Sequence, residues 1–223
     1  MQYNRVKKGI FVDRPNRFIA HVKIEDKLWV CHVKNTGRCR ELLQPGAVVY
    51  VSFSDNPARK TPCDLIAVQK GDRLVNIDSQ APNTVVGEYL RKLYPGAKVL
   101  PEQRVGESRI DFVVKFEQQI RYIEVKGVSL EVDNVAYFPD APTVRGIKHV
   151  QELIECAKRG DQAQLIFVVQ MQGVCQVQPN AATHPQFAKV LSQAKSAGVI
   201  LTGLDCVVTP NTLIIGEEVP VIC

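Results

Sequence analysis

The feature that most constrains this chain is a series of short apolar runs near its start. Residues 9–12, 18–24, 28–33, 48–52 and 65–68 are five such runs, and 74–77 adds a sixth. Pro15-Asn16, Glu25-Asp26, Pro45-Gly46 and Asn56-Pro57 punctuate them with turn chemistry. Runs this short, rich in β-branched residues, read as strands rather than helices. Five or six strands in about 75 residues bury their apolar faces most simply by closing into a small barrel, and the OB-fold is one such barrel.

The pattern changes after Ala81-Pro82. Asn83 is the expected cap of a helix reaching Tyr94, with Val85, Val86, Tyr89, Leu90 and Leu93 as its apolar stripe and Pro95-Gly96 as its stop. Strands are expected at 99–105, 109–115 and 121–126. Thr143 is expected to cap a helix ending near Arg159, ahead of Gly160. The nearly unbroken apolar run 164–169 reads as a central strand covered on both faces. A helix over 184–197 and a strand over 199–204 complete the order. The whole predicts an α+β chain: an OB-fold-like barrel over 1–82, then a mixed sheet flanked by helices over 83–223.

Charge divides at the same place. Residues 1–82 hold 14 Lys and Arg against 8 Asp and Glu, whereas residues 83–223 hold 14 against 15. A basic front module suits a polyanion, with DNA as the expected partner. Arg14, Arg17, Arg38, Arg40, Arg59 and Lys60 fall in the expected barrel loops, where they can meet phosphates. The 35–38 segment, Asn-Thr-Gly-Arg, reads as a tight turn presenting Arg38 and Arg40. Seven scattered cysteines form no C-x-x-C pair, which fits small hydrophobes in a reducing, cytoplasmic setting. No apolar run approaches the ~20 residues that span a bilayer, so no membrane partner is expected.

The chemistry is concentrated in two strands. Asp111 sits in the run Ser108-Arg109-Ile110-Asp111-Phe112, and Glu124 and Lys126 share one face of Ile123-Glu124-Val125-Lys126-Gly127. A hairpin through Phe116-Glu117-Gln118-Gln119 brings Asp111 beside Glu124. Two carboxylates that close repel unless one is protonated or a cation lies between them. One or two carboxylates are what Mg²⁺ or Mn²⁺ takes from a protein. Lys126 beside that ion can orient a water or stabilise charge on a phosphate. Glu88 flanks the first helix's stripe and is a further candidate acid. Arg145 and His149, at i and i+4 near a helix N-terminus, are candidate phosphate contacts.

These residues also carry a resemblance. Phe18-Ile19-Ala20, Asn35-Thr36-Gly37, Ser54-Asp55-Asn56-Pro57, the Asp111 and Glu124 segments and above all Phe138-Pro139-Asp140-Ala141-Pro142-Thr143 resemble the sugar fermentation stimulation protein A family. The likeness runs on through Arg145-Gly146, Lys148-His149 and Phe167-Val168-Val169-Gln170 and spans nearly the whole chain. It implies an N-terminal OB-fold joined to a restriction-endonuclease-like domain of the PD-(D/E)XK type, with DNA binding and a regulatory link to maltose use in bacteria. It implies that Asp111, Glu124 and Lys126 occupy the nuclease-type positions, with Glu88 as the helical acid. Two positions depart from the pattern: Ile110 stands where that motif is named for proline, and Gly127 where many relatives carry asparagine. Two functions follow as expectations, a largely sequence-nonspecific DNA-binding protein with a metal-dependent phosphodiesterase site, or a DNA-binding regulator whose site is catalytically silent.

Overall fold

The structure is a computed structural model that describes residues 1–35, 37–106 and 108–223, with only the backbone of Ser108. Thr36, in the expected 35–38 turn, lies outside the described residues. The first part is a closed barrel of β1 (Val6–Asn16), β2 (Ile19–Ile24), β3 (Lys27–Val33), β4 (Val48–Phe53) and β5 (Cys63–Lys70), with β6 (Arg73–Asn76) appended. The strands run in the order β3-β2-β1-β4-β5-β6, and parallel pairing of β3 with β5 closes the cylinder. Alternation sends Ala20, Val22 and Ile24 inward from β2, while His21 and Lys23 face out.

The second part is built on a six-stranded sheet, ordered β15 (Leu213–Val219), β14 (Ile200–Val208), β12 (Gln162–Val169), β9 (Gln119–Val128), β8 (Ser108–Phe116) and β7 (Lys98–Val105). β12 runs parallel to both β9 and β14, and the remaining pairs are antiparallel. β12 is the expected fully covered strand: helix α1 (Ala81–Leu93) packs with Ile166 and Val168 on one face, and α2 (Val144–Lys158) and α3 (Pro185–Ser196) with Leu165 and Phe167 on the other. The core beneath α2 and α3 is contiguous with the barrel interior, so the two parts share a hydrophobic seam. Polar groups reinforce it: buried Gln170 donates through Nε2 to Asn76 Oδ1 at 2.7 Å and to the Asp78 carbonyl at 3.0 Å.

Several expectations need correction. Asn83 does not cap α1, because the helix starts at Ala81 with Gln80 at the cap position and no side-chain cap bond. Pro82 explains the earlier start: its fixed φ suits the first turn, and that turn leaves its missing N–H uncalled for. The β8–β9 turn is tighter than expected, with Glu117 and Gln118 alone between the strands. A small sheet of β10 (Leu130–Val132), β11 (Val135–Phe138) and β13 (Gln176–Pro179) was not legible from period, and neither was β15. Thr143 caps α2 as expected, its Oγ1 accepting from the Gly146 N–H at 2.9 Å.

Candidate functional site

The acid pair forms where β8 and β9 part. Their ladder runs down to Phe112 opposite Ile123. At the next step the Asp111 side chain replaces a strand carbonyl: its Oδ2 accepts the Val125 N–H at 2.8 Å. Its Oδ1 accepts from Asn83 Nδ2, also at 2.8 Å. Asp111 is thus held in the gap between strands by one backbone and one side-chain donor. Starting α1 a turn early gives Asn83 this reach. Its role was missed because an Asn near a helix start reads first as a cap.

Glu124 lies on the face of β9 beneath α2, and only 2% of its side chain is exposed. Oε1 accepts from Lys126 Nζ at 2.6 Å and makes a short contact with His149 Nδ1. His149 Nε2 in turn accepts from Arg145 Nε at 3.2 Å. With Nε2 turned toward Arg145, Nδ1 is the ring nitrogen that faces Glu124. Oε2 is buried and, among the described residues, has no hydrogen-bond partner. An orphaned buried acceptor forfeits about 1–3 kcal/mol, more when charged, so this oxygen is the open valence of the site.

The two acids differ in environment. Burial, then the neighbouring charge of Glu124, raises the Asp111 carboxyl above the usual range, against the pull of Val125 and Asn83. Burial also pushes Glu124 up, but His149 and Lys126 outweigh it and hold that carboxyl below its ordinary value. Glu124 is therefore the fixed anion of the pair, and Asp111 is the one that gains most from an added cation.

The other candidates fall in three places. Glu88 is half exposed, accepts from the Met1 amine at 2.8 Å, and lines a cleft of about 320 Å³ with Asn83, Arg91 and Asp111. Arg14, Arg17, Arg38 and Arg40 meet around a groove on the barrel, also about 320 Å³. Arg59 instead forms a two-pronged pair with Asp64, while Lys60 is exposed. Arg145 is exposed at the start of α2 and touches the acid pair only through His149.

The departures from the family pattern have a steric basis at Gly127. A Cβ there would lie 2.7 Å from Gln170 Oε1 and 2.7 Å from Pro82 Cγ. With Gln170 fastened to the barrel and Pro82 in α1, there is no room for a side chain. Ile110 is 2% exposed and belongs to the main core, so an apolar residue is required there whatever its backbone preference.

Among the described residues, no group of three or more His, Cys, Asp and Glu gathers as cation ligands. The donor set available is the two carboxylates, with Oε2 of Glu124 free of donors. That set fits Mg²⁺ or Mn²⁺, which take one or two carboxylates and complete their shell with water or substrate oxygens. No helix is long and apolar enough to cross a membrane among the described residues.

Comparison with known proteins agrees with this architecture. Residues 12–77 match the family described as SfsA N-terminal OB domain, and residues 80–212 match Sugar fermentation stimulation protein RE domain. A sugar fermentation stimulation protein homolog of Ruminiclostridium cellulolyticum is 50% identical, covering 99% of each chain, and one from Clostridium beijerinckii is 48% identical over both chains in full. The structure of Pyrococcus furiosus SfsA, solved in complex with Ca²⁺, is similar with a TM-score of 0.89 at 27% identity, covering 100% of this chain and 98% of that one. On sequence and fold together, this chain belongs to the sugar fermentation stimulation protein family.

Proposed function

We propose that the chain is a DNA-binding protein with a metal-dependent phosphodiesterase site, the barrel holding the nucleic acid and the acid pair acting on it. The observation that carries this reading is Glu124 Oε2, a buried carboxylate oxygen without a donor among the described residues, near the raised carboxyl of Asp111. A cation relieves both at once, giving Oε2 a partner and offsetting the repulsion that raises Asp111. That the Pyrococcus furiosus relative was solved with Ca²⁺ supports a divalent ion in this family.

Asp111 and Glu124 are the residues that would hold Mg²⁺ or Mn²⁺. When bound, such an ion supplies positive charge toward a phosphodiester and acidifies water. Lys126 is positioned by Glu124 Oε1 to orient a water or meet negative charge developing on phosphorus-bound oxygen. His149, hydrogen-bonded to the same oxygen and to Arg145, fixes the orientation of Glu124, and exposed Arg145 faces a neighbouring phosphate.

A second reading has its own observation. Oε1 of Glu124 is already engaged by both Lys126 and His149, which suits a DNA-binding regulator of sugar-use genes with a silent site. Purified protein with Mg²⁺ or Mn²⁺ and single- or double-stranded DNA on a gel, beside a Glu124→Ala control, separates the two. Metal-dependent cleavage by the wild type alone supports the phosphodiesterase. Binding without cleavage supports the regulator, and cleavage that survives the substitution removes Glu124 from the chemistry.

A further inference from the structure

The β1–β2 turn of the barrel is held in one shape. Asn16 Oδ1 accepts from the N–H groups of Phe18 and Ile19 at 2.9 and 3.1 Å. Arg14 then ties this turn to the segment after β3, donating to the carbonyls of Arg17, Asn35, Gly37 and Arg38 at 2.7–2.9 Å. Arg14 therefore acts from within, holding the backbones of Arg17 and Arg38, which line one groove. That groove, about 320 Å³, is lined by Arg14, Asn16, Arg17, Gly37, Arg38, Arg40 and Leu43. Among the described residues its lining carries four positive charges and no carboxylate.

Beside it stands Phe18, 44% exposed, with the Arg17 guanidinium 4.7 Å from its ring centroid. A lone exposed apolar side chain needs no explanation. An aromatic ring on a rigid turn, next to a groove of arginines, is a different matter. Duplex DNA offers such a surface its phosphates but keeps its base faces stacked inward. An unpaired strand offers both, and a base stacks on an aromatic ring whatever its sequence.

We infer that this groove is a subsite for unpaired nucleotides, in which Phe18 stacks a base while Arg17, Arg38 and Arg40 hold the adjoining phosphates. The inference rests on the DNA-binding reading above and narrows it to single-stranded DNA. The groove also borders the second part of the chain. A Cβ on Gly37 would lie 2.1 Å from Asp140 Oδ2, and Asp140 is three residues before the Thr143 cap of α2.

The test is fluorescence anisotropy on the full chain in EDTA, so that cleavage plays no part. The probes are labelled oligo(dT) of about 20 nucleotides, long enough for one OB-fold site, a duplex of equal length, and oligo(U). The wild type is expected to bind oligo(dT) more tightly than duplex. Phe18→Ala should weaken oligo(dT) binding about tenfold and leave duplex binding unchanged, and Phe18→Tyr should restore it. Arg38→Ala should weaken both and flatten their salt dependence. Equal loss on both DNAs, no loss on either, or a wild-type preference for duplex overturns the stacking subsite. Preference for oligo(U) overturns the assignment to DNA. A wild type that binds none of the probes overturns the DNA-binding reading itself, and circular dichroism establishes that each variant is folded.

Discussion

The basic groove and the acid pair are built on opposite terms. The groove lies on the end of β1, which carries Arg14 rather than the loop expected for it, on the β1–β2 turn and on the segment after β3; three of its four arginines are exposed, and Arg14 alone is tied inward, to four backbone carbonyls. The acid pair lies where two strands part, and each group is positioned by another: Asn83 of α1 and Val125 hold Asp111, while Lys126 and His149 of α2 hold Glu124. Exposed charges are screened and nearly interchangeable, so a groove of them sums many small contributions. Buried charges are few and mutually dependent, so removing one disturbs all. On the proposed reading, a nonspecific grip and a defined reaction call for these two architectures respectively.

The contrast is sharpest at Glu124. On the proposed reading, Glu124→Gln should cut metal-dependent cleavage roughly a thousandfold or to background, with oligonucleotide affinity kept. If affinity falls in step with cleavage, the two regions are not separable. The seam between them can be stressed directly. Gly127→Ala should destabilise the fold by about 1–3 kcal/mol, the usual cost of overpacking, because Gln170 and Pro82 close on that position. An unchanged melting temperature would mean that the seam yields.

Arg38→Ala with Arg40→Ala should weaken DNA binding by about tenfold and lower the salt slope by about one for each phosphate no longer neutralised. A normal melt should accompany it, since both side chains are exposed. A single substitution as damaging as the pair would contradict the additive character of the groove.

The smallest effect is in pH, where the two regions should show opposite signs. Burial pushes Asp64 of the barrel up, but Arg59 and Lys34 outweigh it and hold the carboxyl below its usual value. Its stabilisation is complete above the unfolded carboxylate pKa and is lost as pH falls through the folded value. Asp111 is raised, so the native state holds the extra proton between the unfolded and folded values, and stability drops as pH rises through that window. Melting temperature against pH in metal-free buffer should therefore lose part of its acid limb in Asp64→Asn. In Asp111→Asn it should fall less on the way to neutrality. Deviations of the same sign would refute the assignment.

Much of this was legible in the chain. The barrel strands, the covered run 164–169, the Thr143 cap and the same-face placement of Glu124 and Lys126 follow from alternation, apolar continuity and cap chemistry, which are local properties. The short strands β10, β11 and β13 were not legible, because three or four residues carry no measurable period and gain their shape from pairing. The same limit hid the donors of the site. Asn83 reads as a cap until Pro82 moves the helix start, and the tie from His149 to Glu124 exists only because α2 lies over β9.

The sequence by itself therefore determined which residue types were available and which elements would carry them, since period and turn chemistry act over a few neighbours. The tertiary structure alone decided which carboxylate is lowered and which is raised, which oxygen is left without a donor among the described residues, and which arginine of the groove is tied to backbone carbonyls. Those properties depend on burial and on groups brought together from distant stretches of chain, as Asn83 and Asp111 are from 28 residues apart, and no local pattern encodes such distances.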